Sequence, residues 1–212
     1  LLAMSGAAGA AVFNGDFETT SPATGLVHGR QLDQLGLASG KWDVYGALPG
    51  WSSAGAGIEV HTNRTVGGFA ARSGSRYVEL DSHGKVSNSS MTQDLGALDK
   101  GDWLLSFWYA PRTGNPGTDG VDFAVSGGAA AAGSVAGGDR LEWRLAQLAF
   151  TVASGDDVAL TFAAVGKDDT LGGFIDDVSL ERAPAAIPLP GGAALLIPAL
   201  AAIGALRLRR RG

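Results

Sequence analysis

The sequence predicts an all-β protein, a two-sheet antiparallel β-sandwich, on three observations. Apolar and polar residues alternate in runs of about six, clusters of Gly, Asn, Asp and Pro separate the runs, and no long stretch of the body has helical periodicity. Glycine supplies 33 of 212 residues and 17% are charged, which suits short strands and tight turns better than long helices or a disordered polyelectrolyte. At this length one core is expected.

Along the chain, candidate strands cover residues 57–61, 76–80, 89–94, 103–110, 120–126, 141–152, 157–165 and 173–181. Strands that fill two inward faces with every second residue make a sandwich, and a jelly roll is the favoured topology. In 103–110, Leu105, Phe107 and Tyr109 share one face, and Leu104, Ser106 and Trp108 share the other. In 173–181, Phe174, Asp176, Val178 and Leu180 lie opposite Ile175, Asp177 and Ser179. If the first set faces the core, Asp176 is carried inward, and an ionised carboxylate there needs hydrogen bonds or a cation. The Gly-rich segment 127–138 and Gly67-Gly68 match neither a P-loop nor a dinucleotide fingerprint and read as flexible loops.

The two ends read as addresses. Residues 1–11 look like the trailing half of a secretory signal, with Gly9 and Ala11 as small residues before a cleavage point, which leaves 12–182 as the folded domain. Residues 183–190 form a Pro-containing linker, and 191–206 form an uncharged apolar stretch. The tail 207–212 carries Arg207, Arg209, Arg210 and Arg211. As a C-terminal hydrophobic helix, the apolar stretch would reach about 24 Å, short of a hydrocarbon core of roughly 30 Å, so it makes a marginal transmembrane helix. The arginines would stay cytoplasmic and leave the domain outside.

The formal charge is −5, but without the four terminal arginines the body holds 12 basic against 21 acidic residues. Phosphate backbones would repel such a surface, so nucleic acid is excluded as a partner. Cysteine is absent, which rules out disulfides and thiolate metal sites.

The order Ile187-Pro188-Leu189-Pro190, small-residue helix and arginine cluster resembles the PEP-CTERM sorting signal in its Val/Ile-Pro-Leu-Pro variant. The resemblance implies export in a Gram-negative envelope and anchoring in the inner membrane through the C-terminal helix. It also implies processing by an exosortase-like membrane protease, with release to the cell surface or extracellular matrix.

A second resemblance rests on an ordered set of motifs: Asn14-Gly15-Asp16-Phe17-Glu18, Leu48-Pro49-Gly50-Trp51, Ile58-Glu59-Val60, Tyr77-Val78-Glu79-Leu80-Asp81, Leu105-Ser106-Phe107 and Ile175-Asp176-Asp177-Val178-Ser179-Leu180. This set is similar to the galactose-binding-like, DUF642-like jelly roll of carbohydrate-binding modules. Trp108 departs from it, because that outward position is usually polar. The resemblance implies that the first and last strands meet beside a structural Ca²⁺, with Glu18 and Asp176 as its side-chain ligands and Asn14 and Asp16 as weaker candidates. Hard oxygen donors of this kind are what Ca²⁺ selects. The alternative is an Asn/Asp-capped turn with Asp176 bonded to backbone amides.

Sugars stack on exposed rings, which makes Trp108, and Trp42 and Tyr45 in an expected loop, the candidate ligand-binding residues; packing is the competing role. Glu79 and Asp81, with Asp168 and Asp169, raise the question of paired glycosidase carboxylates, but solvated edge carboxylates are the default. No motif names an acid, base or nucleophile. His28, His61 and His83 lack ligand spacing and read as unrelated surface residues. The expected function is therefore a non-enzymatic, exported polysaccharide-binding protein. A structural or adhesive envelope protein without a sugar site is the alternative, and a glycan-acting enzyme comes last.

Overall fold

In the computed structural model, which describes residues 12–183 apart from 37–39, 85 and 154, the alternating runs become strands of two facing six-stranded sheets. The first sheet runs, in spatial order, through β1 (Trp42–Tyr45), β4 (Ile58–Thr62), β5 (Arg76–Glu79), β12 (Gly173–Arg182), β7 (Gly101–Pro111) and β10 (Arg144–Val152). The second runs through β2 (Ala47–Leu48), β3 (Trp51–Ala54), β6 (Ser90–Ala97), β11 (Asp157–Val165), β8 (Gly120–Gly127) and β9 (Ala131–Val135). Every pairing between these strands is antiparallel. From β5 onward the chain crosses repeatedly between the sheets, with β5, β7, β10 and β12 in the first and β6, β8, β9 and β11 in the second, as in a jelly roll.

The core lies between the sheets. Val60, Val78, Leu105 and Phe107 face Met91, Val121, Phe123, Leu160 and Phe162 in one apolar cluster. Phe107 meets Phe123 and Phe162 nearly edge-on, each at 4.9 Å between ring centroids, an arrangement worth about 1 kcal/mol per pair beyond burial. The inward set Leu105, Phe107 and Tyr109 is fully buried, as the alternation requires.

All eight expected strands are present. The structure adds β1, β2, β3, β9 and a single helical turn, α1 (Leu32–Leu35), whose Leu32 and Leu35 are buried. The strands β1, β2 and β3 are too short for a period of two to show. Strand β9 corrects the loop reading of 127–138: its small residues belong to a strand packed on a ring, since a Cβ on Gly133 would fall 2.5 Å from Phe123 Cζ.

The last strand also departs from strict alternation. The register of β12 against β7 shifts between Asp176 and Ser179, where Asp177 takes a φ of 50°. This bulge changes which residues share a face. Ile175, Val178 and Leu180 join the core, whereas Phe174 belongs to a second apolar cluster with Tyr77 and Ala110. Val66, Phe69, Ala71, Leu141 and Trp143 pack against that second cluster from the connecting segments 63–75 and 139–143. The first sheet is thus covered on its outer face as well. Residues 141–143, expected in a strand, serve this cover, with Leu141 at a φ of 58° and the Trp143 indole N–H donating to the Ala70 carbonyl.

The signal-like residues 1–11, the motif Ile187 to Pro190, the apolar stretch 191–206 and the Arg207 to Arg211 cluster lie outside the described residues. Among the described residues, no helix is long and apolar enough to cross a membrane.

Candidate functional site

The N-terminal turn is the keystone of one end of the sandwich. The Asn14 amide donates to the Pro49 carbonyl at 3.0 Å and its Oδ1 accepts the Thr19 N–H at 2.8 Å, while its main-chain carbonyl accepts the Trp51 indole N–H at 3.1 Å. These bonds tie the turn to the second sheet. Val178 N–H donates to the Gly15 carbonyl at 2.8 Å, which ties it to the bulge of β12 in the first. A Cβ on Gly15 would fall 2.0 Å from the Val178 carbonyl oxygen, so this close approach requires glycine. The expected meeting of the chain's first and last segments is realised, with a turn in place of a first strand.

Beside this junction lies a hollow of about 630 Å³, lined by Phe13, Asn14, Asp16, Thr19, Trp108 and Ser179 together with Val12, Gly15, Asp177 and Val178. Three of the residues singled out in the sequence, Trp108, Asn14 and Asp16, therefore come together around one cavity. Trp108 is half-buried, and the Arg72 guanidinium lies 4.1 Å from its ring centre. The aromatic surface is thus fixed by a cation as well as by the sheet. Phe13 is 54% exposed at the rim.

The remaining predicted residues are placed as follows. Glu18 and Asp176 grip one loop from two sides. Glu18 accepts from Ser75 N–H and Arg76 N–H, each at 2.6 Å, and pairs with the Arg76 guanidinium at 2.7 Å. Asp176 accepts from Arg72 N–H at 2.8 Å, Ser73 N–H at 3.3 Å and Asp177 N–H at 2.7 Å. It is fully buried, but on the outer face beneath the 72–76 loop and not in the core, because the bulge turns it there. Burial, aided by the neighbouring Asp177 charge, pushes its carboxyl up to about 8 despite these three bonds. Asp16 Oδ1 accepts from Glu18 N–H at 3.2 Å within the turn.

Trp42 and Tyr45 lie on β1, which corrects the loop expectation. Tyr45 is 1% exposed and its hydroxyl donates to the Arg30 carbonyl, so its ring is core, with no face left for a ligand. Trp42 is half-buried between His28 and His83, at 4.5 and 5.1 Å between ring centroids.

Two further expectations are corrected by burial. Glu79 and Asp81 are each 0% exposed and are not solvated edge carboxylates. Asp81 accepts from the Leu171 N–H at 3.1 Å, whereas Asp168 and Asp169 bond the Asn88 N–H and the Thr118 hydroxyl. The carboxylate that faces Glu79 is Glu59, its register partner on β4, with His61 between them. His61 is 1% exposed and stacks on Tyr77, so it is no surface histidine. Burial, opposed by His61 and Arg112, pushes Glu79 up to about 7. Sequence reasoning missed Glu59 and Arg112. The signal for Glu59 is the pairing register, which brings together residues 20 positions apart and is invisible until the strands are paired.

No family model matches the chain, and no curated relative matches it. Solved structures do resemble it. TmCBM61 in complex with β-1,4-galactotriose aligns with a TM-score of 0.49 at 21% identity, over 65% of this chain and 92% of that one. A family 35 carbohydrate-binding module from Clostridium thermocellum gives 0.42 at 16%, over 68% and 99%. The CBM22-1 xylan-binding domain of Paenibacillus barcinonensis Xyn10C gives 0.40 at 14%, over 69% and 97%. Likenesses this remote say nothing of the ligand of this chain.

Proposed function

We propose that this chain is an exported, non-catalytic polysaccharide-binding protein whose ligand site is the hollow beside the N-terminal turn. The observation that carries the reading is the convergence of Trp108 with Asn14, Asp16, Thr19 and Ser179 around one cavity, an aromatic surface among oxygen-bearing side chains. Pyranose rings present apolar C–H faces to such a ring and hydroxyls to such oxygens. The acidic lining, Asp16 with Asp177, favours neutral over anionic glycans by charge repulsion.

Export and sorting by an exosortase-like membrane protease, with transient anchoring through the C-terminal helix, belong to the same proposal and rest on the sequence at residues 187–212. Calcium belongs to it through Asp176. Asp176, buried and beside Asp177, would be favoured in its ionised form by a cation bound there. Glu18 is already neutralised by Arg76 and would hold the ion more weakly. Bound there, Ca²⁺ would hold β12 against the 72–76 loop.

The test is calorimetric titration of the full chain and its Trp108→Ala variant against a panel of neutral plant and bacterial polysaccharides. Affinity for one glycan class, reduced about tenfold or more in the variant while its melting temperature holds, supports the site. Equal binding by the variant overturns the hollow as the site, and no binding across the panel returns the chain to a structural or adhesive role.

A further inference from the structure

A second constellation sits on the outer face of the first sheet, away from the residues assigned to saccharide and calcium. Glu59 and His61 on β4 face Glu79 on β5, and the three place their ligand atoms within 4.8 Å of one another. His61 Nε2 lies 2.8 Å from Glu59 Oε1 and 3.0 Å from Glu79 Oε2. The other carboxylate oxygens are held by main chain: Glu59 Oε2 accepts the His83 N–H at 2.7 Å, and Glu79 Oε1 accepts the Gly172 N–H at 2.5 Å. Arg112 Nη1 donates to Glu79 Oε2 at 2.7 Å and to the Thr170 carbonyl at 3.0 Å. Backbone and arginine thus fix each carboxylate so that one oxygen aims at the same imidazole nitrogen.

That nitrogen carries at most one proton, and two buried acceptors converge on it. One N–H serves one short, linear hydrogen bond: given to Glu59 Oε1 it leaves Glu79 Oε2 with Arg112 Nη1, and given to Glu79 Oε2 it leaves Glu59 Oε1 without that donor. A cation among the three atoms satisfies all of them at once. The two separations from His61 Nε2, 2.8 and 3.0 Å, come close to the roughly 3.0 to 3.4 Å that ligands on metal bonds of about 2.1 Å span at right or tetrahedral angles. Backbone N–H groups hold the two distal carboxylate oxygens, as they do for oriented metal ligands, while the Arg112 guanidinium bonds the Glu79 oxygen that faces His61. One nitrogen with two carboxylate oxygens selects a first-row divalent metal over Ca²⁺ or Mg²⁺, which prefer all-oxygen sites. Arg112, with 22% of its side chain exposed, connects the cluster to solvent.

We propose that Glu59, His61 and Glu79 form a binding site for a divalent transition-metal ion, Zn²⁺ or Mn²⁺ by donor set. The rival occupant is a proton, with His61 as an imidazolium shared between the two glutamates. The ion would lock β4 to β5 beneath the loops that cover them and stiffen that face.

The experiment uses the full chain, dialysed against EDTA and then titrated separately with Zn²⁺, Mn²⁺, Co²⁺ and Ca²⁺ by calorimetry and thermal unfolding. One transition-metal ion per chain, with a melting temperature that rises with metal concentration and a visible absorption band for Co²⁺, is the expected result. Glu59→Gln keeps the size of the side chain and should lose the Zn²⁺ and Co²⁺ signals while keeping any Ca²⁺ response, which belongs to Asp176. Should Glu59→Gln fail to fold, the Co²⁺ band of the wild type decides. A folded wild-type chain that binds none of the transition metals, or a Glu59→Gln variant that binds them as the wild type does, overturns the site and assigns the cluster to a proton.

Discussion

The two outer faces of the sandwich obey different rules. On the second sheet, β8 alternates as an exposed sheet should, with Val121, Phe123 and Val125 inward and Asp122 and Ser126 in solvent. On the first sheet, every residue of β4 and β5 is buried, so Glu59, His61, Tyr77 and Glu79 point outward and still lose their water. The difference comes from the segments 63–75 and 139–143, whose Phe69, Leu141 and Trp143 cover the first sheet, whereas Ala124, Ala132, Ser134 and Thr161 line an open shallow surface on the second. Polar groups that a protein buries at a cost need partners, and the covered face is where the unusual chemistry has collected.

The sharpest break of this contrast is Glu79→Ala. It would leave Arg112, the Gly172 N–H and His61 facing a vacated position inside the cover. Removing one member of a buried charged network costs about 3–5 kcal/mol, because the remaining partners stay desolvated. Chemical denaturation should show a loss of that size. A loss below about 1 kcal/mol would mean that the cover opens readily and that this face is wetter than its geometry implies.

Next in size is the cover itself. Phe69 lies 5.5 Å from Phe174, 5.4 Å from Tyr77 and 5.1 Å from Trp143 between ring centroids, yet is itself half-buried. Phe69→Ala should cost about 2 kcal/mol, less than a full core truncation. Hydrogen exchange of the Tyr77 and Phe174 amides should speed up more than that of Phe162 in the opposite sheet, which makes the two faces separately measurable.

The pattern of alternation, with turn residues between the runs, was enough to place eight of the strands and to put Leu105, Phe107 and Tyr109 in the core, because a period of two shows clearly in strands as long as β7. It could not show that both faces of β4 and β5 are buried, since that depends on loops 63–75 and 139–143 folding back from other parts of the chain. Nor could it show the bulge at Asp177, which moves Asp176 from the core face to the outer face. The candidate site divides in the same way. Trp108 was readable as a ring suited to sugars and Asn14 and Asp16 as weaker calcium candidates, but their shared hollow required the Gly15 contact with Val178. Glu59 was passed over because its meaning lies in a pairing partner 20 positions away.

Asp43 on β1 carries the contrast into acid. Its carboxylate accepts N–H bonds from Val27, His28, Arg30 and Val44 at the edge of the first sheet. Burial acts to raise its pKa, but these four backbone donors prevail and hold it below the usual aspartate range. A carboxyl with a folded pKa below its unfolded value stabilises the fold at any pH above the unfolded value and loses that contribution as pH falls through the folded one. Asp43→Asn should therefore be less stable than the wild type by about 2 kcal/mol at neutral pH. The gap in melting temperature should narrow only below about pH 4. A gap that stays constant down to pH 3 would show that the loss comes from amide geometry and not from charge.

The smallest effect belongs to the open face. Thr161 on β11 bonds Thr92 on β6 at 3.0 Å between hydroxyl oxygens, and its surroundings are Ala124, Ala163 and Ser134 at the shallow surface. Each hydroxyl freed by truncation can turn to solvent, so nothing is left buried without a partner. Thr161→Ala should change stability by no more than about 0.5 kcal/mol, a tenth to a sixth of the loss expected for Glu79→Ala. Both substitutions remove an outward-facing polar group from a strand in the middle of its sheet. If the two losses came out alike, exposure would not be what separates the faces, and the second sheet would itself be covered in solution, by another copy of the chain or by a bound partner.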